Sequence, residues 1–216
     1  METDILDKFR SAADPEKAKE MSAYMRDQFA FLGIPSPVRK EMSKEFLKTA
    51  KKKPVDWAFV FECWERPERE YQYLAANYLE AVKRSLFPSD IPNIKKLIAS
   101  RSWWDTVDSL DVLVGDIALR YPEVNETILM WSIDENMWLR RTAIDHQLTR
   151  RDKTDTALLE KILLNNLGQD EFFVNKAIGW SLREYSKTNP DWVRSFIEKH
   201  KNDMKSLSIR EGSKYL

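Results

Sequence analysis

Apolar and polar positions repeat along the chain at a distance of 34 residues. The repeat is clearest in the segments "REYQYLAANYL", "VDSLDVLV", "RRTAIDHQL" and "NKAIGWSLR". Small residues hold one equivalent position, namely Ala75, Ser109, Ala143 and Ala177, and the next position holds Ala76, Leu110, Ile144 and Ile178. A period of this length indicates stacked helix pairs, because each pair is too small to bury its apolar face without a neighbour.

Prolines and capping residues lie between the periodic segments. The prolines at these breaks, where a new helix can begin without losing a needed N–H, are Pro67, Pro88, Pro92, Pro122 and Pro190. Ser89, Asp90 and Asn189 are typical helix-capping residues beside them. We therefore predict an all-α protein with about twelve helices in roughly six antiparallel pairs, forming a curved α-solenoid with one concave face.

The longest predicted helices recur at equivalent places in the repeat, near residues 67–84, 102–120, 136–151 and 170–187. They should line the same side of the solenoid, so residues far apart in sequence converge if that side is concave. Nothing demands two domains, and residues 1–216 are predicted to form one. Gly115 and Gly179 lie inside helices, which favours close helix packing at Gly115 and, at Gly179, close approach of a helix or of a DNA backbone.

Composition agrees with this fold. The chain has 5 glycines, 9 prolines and 8 tryptophans, which favours helices over a turn-rich sandwich. One cysteine, Cys63, and two histidines, His146 and His200, exclude a disulfide framework and a zinc site built from cysteine and histidine clusters. The start "METDILDKFR" has no apolar signal region, and no apolar run reaches the ~18 residues of a membrane span, so we expect a soluble, cytoplasmic protein.

Charge is balanced over the chain but not along it. The 35 basic and 35 acidic side chains cancel, yet the stretch 38–53 has seven bases against two acids and the stretch 140–153 has five against two. Such patches can bind a phosphate backbone if they converge on one surface. On charge alone, solvated helix faces explain them equally well.

The stretch "SWWDTVDSLD", residues 102–111, carries the candidate chemistry. In a helix, Trp104 and Asp108 lie one turn apart on one face. They form either a packed tryptophan beside a paired acid or a site that holds a substrate against the ring. Because Trp138 and Phe172 share the repeat position of Trp104, packing is plausible there, whereas the equivalents of Asp108 are Leu74, Thr142 and Lys176, which no repeat rule explains.

The chain resembles the AlkD-type DNA alkylation repair enzymes, a family of HEAT-like-repeat DNA glycosylases. The resemblance runs from "PEKAKEMSAYM" and "FLGIPSPVRK" to "LSIREGSKYL", and its most specific motifs are "SWWDTVDS" and "KAIGWSLREYSKTNP". It implies that Asp108 is the catalytic carboxylate, that Trp104 and Trp180 embrace the damaged nucleotide, and that Arg141 holds a phosphate in the same cleft. Tyr24 would contribute to the site, and the basic residues expected to contact DNA are Arg39, Lys40, Arg150, Arg151 and Arg183.

The implied reaction is hydrolysis of the N-glycosidic bond of N3- or N7-alkylated purines in duplex DNA. A cationic base leaves without an elaborate acid, so the resemblance implies a monofunctional, monomeric glycosylase with no metal, no cofactor and no Schiff-base lysine. Asp108 would stabilise the oxocarbenium-like sugar. The segment "AIDHQLTRR" departs from the family pattern: Asp145 and His146 replace apolar or aromatic residues and Thr149 replaces a base. The alternatives are a non-catalytic scaffold for a protein partner and a protein that binds distorted DNA without cutting it.

Overall fold

A computed structural model describes residues 2–216, with the side chains of residues 2 and 3 left out, and it is helical throughout. The described residues form thirteen α-helices and three short 3₁₀ turns, and no β-strand beyond an isolated bridge between Ala30 and Glu68. The prediction of an all-α protein with about twelve helices is confirmed. No helix in the described part of the chain is long and apolar enough to cross a membrane.

The chain divides into two compact units, Met1–Leu86 and Phe87–Leu216. The first unit contains five α-helices and the turn Lys83–Ser85: α1 (Glu2–Ser11), α2 (Pro15–Tyr24), α3 (Ser36–Ala50), α4 (Trp57–Glu65) and α5 (Arg69–Ala81). A single domain over residues 1–216 stays a prediction. In the core of the first unit the buried carboxylate of Glu70 accepts hydrogen bonds from the backbone N–H groups of Leu32, Gly33 and Ile34 at 2.9–3.0 Å, which fixes the loop before α3.

The second unit contains eight α-helices and the turns Pro88–Asp90 and Arg151–Lys153. Its helices are α6 (Ile91–Ala99), α7 (Trp104–Arg120), α8 (Val124–Trp131), α9 (Met137–Asp145), α10 (Thr156–Leu164), α11 (Phe172–Ser186), α12 (Pro190–His200) and α13 (Ser206–Gly212). The predicted break at Pro190 is present: this proline begins α12, and the side chain of Asn189 accepts a hydrogen bond from the N–H of Trp192. Asp90, also predicted as a cap, precedes α6 but makes no side-chain capping bond to it.

The 34-residue repeat accounts for the packing of the second unit. Helix α7 packs against α9, α9 against α11, and α11 against α13. Leu110, Ile144 and Ile178, which share a repeat position, are completely buried in the resulting core. Ala143 and Ala177 are also buried, but Ser109 at their position is exposed and hydrogen-bonds the carbonyl of Asp105. The repeat therefore predicts neighbouring helices better than it predicts the burial of each side chain.

Helix α9 is shorter than the repeat predicts. The expected helix over 136–151 ends at Asp145, and Thr149 and Arg151 have φ values of 66° and 54°. Left-handed backbone of this kind cannot continue a right-handed helix. The side chain of the buried Gln147 instead bonds the backbone N–H and carbonyl of Asp155, which fixes the turn that follows.

Both helix-internal glycines lie where another chain segment approaches closely. A Cβ on Gly115 would be 2.2 Å from the carbonyl oxygen of His146, just after α9. A Cβ on Gly179 would be 2.6 Å from the Cβ of Glu211, on α13. Helix packing, one of the two predicted explanations for Gly179, therefore describes both positions.

Candidate active site

Helix α7 brings Trp104 and Asp108 into the second unit one turn apart. The helix begins after Trp103, whose extended backbone (φ −158°) puts its carbonyl in place to accept the N–H of Val107 at 3.1 Å. Trp104 and Asp108 are both half-buried, on the helix face predicted from their spacing.

Arg141 of α9 binds Asp108 through two parallel hydrogen bonds. Its Nε donates to Oδ1 at 2.8 Å and its Nη2 donates to Oδ2 at 2.9 Å. Its Nη1 donates to the carbonyl oxygen of Phe173, at the start of α11, at 2.8 Å. One guanidinium therefore ties three successive repeats together, and charge-assisted bonds of this bidentate form are both strong and directional.

The Arg141 side chain is only 2% exposed, whereas 20% of the Asp108 side chain is exposed. The implied contact between Arg141 and a DNA phosphate is therefore not supported, because the guanidinium is enclosed and its donors face protein oxygens. Its geometry fits a different task, which is to orient Asp108. The exposed edge of Asp108 is the part of this pair that a ligand can reach.

Two further carboxylates, Asp111 and Asp145, lie against the pair. Oxygen atoms of Asp108, Asp111 and Asp145 are all within 4.8 Å of one another, and Asp111 and Asp145 are each only 2% exposed. Such a grouping can hold a cation, and the cation that lies against it is the guanidinium of Arg141. Nη2 of Arg141 is 3.7 Å from Oδ2 of Asp145, too far for a hydrogen bond, and neither carboxylate oxygen of Asp145 has a hydrogen-bond partner among the described residues.

Burial controls the protonation of this cluster. It raises the pKa of Asp108 against the opposing effect of Arg141. It raises the pKa of Asp145 to about 7, again opposed by Arg141. It raises the pKa of Asp111 well above its ordinary value, and the neighbouring charges of Asp145 and Asp108 add to the effect. Three acids beside one arginine thus retain protons at a pH where isolated aspartates are ionised.

Trp180 of α11 lies over the cluster. The Cζ atom of Arg141 is 5.6 Å from the centre of its ring, and the Cζ atom of Arg183 is 5.8 Å from it. Arg183 also donates to Glu211 of α13 at 3.1 Å, so its predicted contact with DNA would have to share the guanidinium with that pair. Asp108, Arg141 and Trp180 are therefore brought together from three helices, and Trp104 lies one turn from Asp108.

An aromatic cluster supports the start of α7 and of α11. The rings of Trp103, Trp138 and Phe173 lie 5.0–5.9 Å apart, centre to centre. The suggestion that Trp104, Trp138 and Phe172 pack at one shared core position is wrong. Trp138 is buried, but Trp104 is half-buried and Phe172 is 56% exposed. The neighbouring Trp103 and Phe173 are half-buried and pack against Trp138.

The residues that depart from the family pattern at the end of α9 have structural contacts. Asp145 belongs to the carboxylate cluster, and His146 is buried, with Nδ1 donating to the carbonyl of Ala143 at 2.6 Å. Burial, together with the charge of Arg150, lowers the pKa of His146 to about 3, so the ring is neutral at pH 7. Arg150 donates to the carbonyl of Gly115 at 2.8 Å and to Gln147 at 3.1 Å, which commits much of a side chain predicted to contact DNA.

Arg151 is exposed and lines a cavity of about 430 Å³. Thr149, from the same turn after α9, and Lys187, just after α11, also line this cavity. Its predicted contact with DNA stays a prediction.

The predicted residues of the first unit line two other cavities. Tyr24 and Arg39 line one of about 390 Å³, in which Arg39 lies 4.4 Å from the ring centre of Tyr73. Lys40 lines a groove of about 850 Å³ beside α3 and the end of α5. Tyr24 is 74% exposed. Lys40 is also exposed, whereas Arg39 is half-buried and its Nη1 donates to the carbonyl of Ile34 at 2.7 Å. The contact of these residues with DNA stays a prediction.

Sequence reasoning missed the roles of Asp111 and Asp145. The signal was present, because these two acids are separated by 34 residues and so occupy the same position in neighbouring repeats. Asp108 precedes Asp111 by three residues and Arg141 precedes Asp145 by four, which places each pair on one face of its helix. The burial of both acids was not visible, since the repeat contains both buried and exposed members at equivalent positions.

The second unit is thus a helical-repeat structure with an accessible carboxylate, a buried guanidinium and a tryptophan at one place. Residues 5–216 match the model of the family described as DNA alkylation repair enzyme. The chain belongs to this family of DNA alkylation repair enzymes.

Solved structures agree with this assignment. A chain from Enterococcus faecalis described as a predicted DNA alkylation repair enzyme is 37% identical, with a TM-score of 0.88 over 94% of this chain and 96% of that one. AlkD2 from Streptococcus mutans, at 16% identity, has a TM-score of 0.64 over 80% of this chain and 89% of that one. The protein smu.31 from Streptococcus mutans UA159, also 16% identical, has a TM-score of 0.63 over 82% and 96%. These last two likenesses show the fold alone. A search among curated proteins finds no match.

Proposed function

We propose that this repair enzyme is a monofunctional DNA glycosylase that hydrolyses the N-glycosidic bond of cationic N3- or N7-alkylated purines in duplex DNA. The observation that supports it most is the carboxylate of Asp108: it is held in a fixed orientation by a buried arginine, yet keeps an exposed edge beside Trp180. An accessible carboxylate whose arginine partner lies against the ring of Trp180 suits a cationic reaction centre.

The chemistry needs an anion more than an acid. Alkylation puts a positive charge on the purine, so the base leaves as a neutral molecule and does not need to be protonated first. As the bond to C1′ lengthens, positive charge moves to the deoxyribose. Asp108 stabilises that charge and orients the water that attacks C1′.

The tryptophans contribute through their π faces. A developing cation near the face of an indole is attracted by the ring quadrupole, by about 0.5–2 kcal/mol. Trp180 already lies within 6 Å of two guanidinium groups, which fits an environment that attracts cations. Trp104, half-buried at the first turn of α7, packs against the sugar from the side of Asp108.

The test is release of 7-methylguanine from a methylated duplex under single-turnover conditions with a metal chelator present. We expect Asp108→Asn to lower the rate at least ~100-fold, the effect of removing one preorganised charge-stabilising group. Duplex binding should be almost unchanged, because the side chain is isosteric and Arg141 can still donate to the amide oxygen. Asp116→Asn is the matched control: Asp116 is on the same helix and pairs with Arg120 at 2.8 Å.

The alternatives predict other results. If the parent protein binds the duplex but releases no base above the spontaneous rate, the Asp108 and tryptophan face recognises DNA without cutting it. If it binds neither damaged nor undamaged duplex, a scaffold for a protein partner is favoured. Activity that returns only when a divalent metal is supplied would contradict a metal-independent reaction.

A further inference from the structure

Charge in the carboxylate cluster is unbalanced. Asp108, Asp111 and Asp145 face one guanidinium, and Asp111, Asp145 and Arg141 are almost completely buried. If all three acids were ionised, two negative charges would lie uncompensated in a region of low polarisability. Because isolated buried charges cost several kcal/mol, protons or another cation must supply the balance.

The geometry favours protons over a metal ion. The guanidinium of Arg141 lies 2.8–2.9 Å from Asp108 and 3.7 Å from Asp145, so it occupies the side of the cluster where a metal ion would need room. A divalent ion within a few ångströms of this guanidinium would be repelled by it. A proton needs no such room.

Arg141 lies between two competing carboxylates. It is hydrogen-bonded to Asp108, whereas its Nη2 lies 3.7 Å from Oδ2 of Asp145, beyond hydrogen-bond distance. The oxygens of Asp145 have no hydrogen-bond partner among the described residues. An unpartnered buried carboxylate beside a guanidinium can influence it strongly through its charge. Whether Asp145 carries that charge decides how much of the positive charge of Arg141 is left to neutralise Asp108.

We propose that Asp145 is a positioning residue for Asp108, acting through Arg141, and that Asp111 stays protonated beside it. This inference rests on the proposed function. When the Asp145 carboxyl gives its proton to water, its negative charge offsets Arg141, and the exposed edge of Asp108 then presents a net negative charge to the sugar. When Asp145 is protonated, Arg141 neutralises Asp108 and the stabilisation is weaker.

The surroundings support this assignment of the charges. The charges acting on Asp145 are those of Arg141 on its own helix and Asp108 on α7, and Asp111 of α7 is coupled to it. Charged side chains of the other helices packed against α9 pair elsewhere or are exposed. Lys176 and Arg183 of α11 pair with Glu211, Glu184 of α11 pairs with Lys187, Lys95 of α6 pairs with Asp134, and Glu160 of α10 pairs with Lys199. Lys96 of α6, Glu126 of α8 and Lys161 of α10 are exposed.

The test compares Asp145→Asn and Asp111→Asn with the parent protein between pH 5.5 and 8.5. Burial raises the pKa of Asp145 to about 7, so we expect parental single-turnover base release to rise about tenfold through neutral pH after subtraction of spontaneous loss. An asparagine imitates the protonated acid. Asp145→Asn should therefore remain at the low-pH rate of the parent at every pH, with unchanged duplex affinity, whereas Asp111→Asn should retain the rise.

A second readout does not depend on activity. With ¹³C-labelled aspartate carboxyl groups, one resonance of the parent should titrate near pH 7, be missing from Asp145→Asn and persist in Asp111→Asn and Asp108→Asn. If this titration is seen but the parent protein releases no base above the spontaneous rate, the proposed glycosylase function fails while the protonation of the cluster stands.

Three results would overturn the proposal. One is a pH rise that survives in Asp145→Asn. Another is the absence of any carboxyl resonance that titrates near neutral pH. The third is Asp145-dependent broadening of these resonances by Mn²⁺ together with stimulation of base release, which would make the cluster a metal site. If the first result is accompanied by an equal loss of rate at every pH, Asp145 has a structural role only.

Discussion

The guanidinium of Arg141 lies beside the carboxylate cluster of Asp108, Asp111 and Asp145, in a region from which water is largely excluded. Its role differs from that of the surface arginines, since most of its attraction is not screened by solvent. Removing it leaves the acids without a compensating charge, while removing one acid leaves the others better balanced. The residue that controls the stability of the site is therefore the arginine.

We expect Arg141→Met to destabilise the protein by about 3–5 kcal/mol at pH 8, the usual effect of leaving a buried charge unpaired. Arg141 lowers the pKa of Asp108 and of Asp145, although burial keeps both above their ordinary value and that of Asp145 at about 7. Its stabilising effect is therefore present at higher pH and is lost as the pH falls and the acids become protonated. Urea unfolding should show a clearly smaller loss at pH 5 than at pH 8.

Arg120→Met is the control for this measurement. Arg120 pairs with Asp116 in a more exposed place and should contribute about 1 kcal/mol or less at either pH. Equal losses at pH 5 and pH 8 for Arg141→Met would mean that packing of the side chain, not its charge, stabilises the site.

The sequence predicted part of this site by spacing alone. Trp104 and Asp108 were expected on one helix face, and the fourfold repeat placed their helix next to that of Arg141. The resemblance to a known family supplied Trp180 and Arg141. The burial of Arg141 could not be predicted, because it depends on how Asp108 of α7 and the backbone of Phe173 of α11 come together around its guanidinium.

At the scale of the elements, α7 and the turn after α9 are fitted together at Gly115. The carbonyl of His146 occupies the space that a Cβ would take, and Arg150 returns to bond the carbonyl of Gly115. The early end of α9 was missed because the helix over 136–151 was predicted from its equivalent place in the 34-residue repeat, and left-handed backbone at Thr149 and Arg151 has no clear signature in such residues.

We expect Gly115→Ala to destabilise the protein by about 1–3 kcal/mol, although alanine is the better helix former by ~1 kcal/mol. The methyl group would lie 2.2 Å from the backbone oxygen of the buried His146, so α7 and the turn after α9 must move apart. Thermal or urea unfolding measures the loss. Ser109→Ala, on the exposed face of the same helix, is the control and should be neutral or slightly stabilising.

If Gly115→Ala were as stable as the parent, the contact between α7 and the turn after α9 would be adaptable. In the expected case, the added methyl group also moves Arg141 and Asp145 of α9 relative to Asp108 of α7. The rate of base release by Gly115→Ala should therefore fall by more than its loss of stability explains.

At the scale of the whole molecule, zero net charge conceals a strongly basic surface. The groove of about 850 Å³ in the first unit is lined by six cationic side chains and one acid: Lys40, Lys44, Lys48, Lys51, Lys83, Arg84 and Glu80. The basic stretch read from the sequence over 38–53 supplies four of these cations, and its spacing along α3 brings them to one side. Lys83 and Arg84, from the turn after α5, could not be assigned to the same surface from sequence.

We expect the double variant Lys44→Glu/Lys48→Glu to weaken binding of undamaged duplex DNA and to reduce its salt dependence. Each lost phosphate contact lowers the slope of log K against log salt by about 0.9. The pairs of these lysines with Glu41 and Glu45 are long, at 3.7 and 3.8 Å, and exposed, so their loss should not affect folding. Fluorescence anisotropy between 50 and 300 mM salt, roughly the range in which such slopes are measured, tests this.

Lys199→Glu/Lys201→Glu, at the end of α12 and just after it, is the matched control, because these lysines also pair with nearby acids at the surface. An equal effect of both double variants would mean that net charge, not the groove, determines affinity. Unchanged single-turnover base release at saturating enzyme would separate this surface from the chemistry.

The only cysteine of the chain, Cys63, is completely buried in α4, and burial raises the pKa of its thiol. A thiol that is both enclosed and protonated does not react with maleimides at neutral pH. We therefore expect the native protein not to react with thiol reagents, so a cysteine introduced at an exposed position such as Lys44 would be the single reactive one. Site-directed fluorophores or spin labels can thus be attached without first engineering a cysteine-free background, so that movement of either unit on DNA can be followed directly.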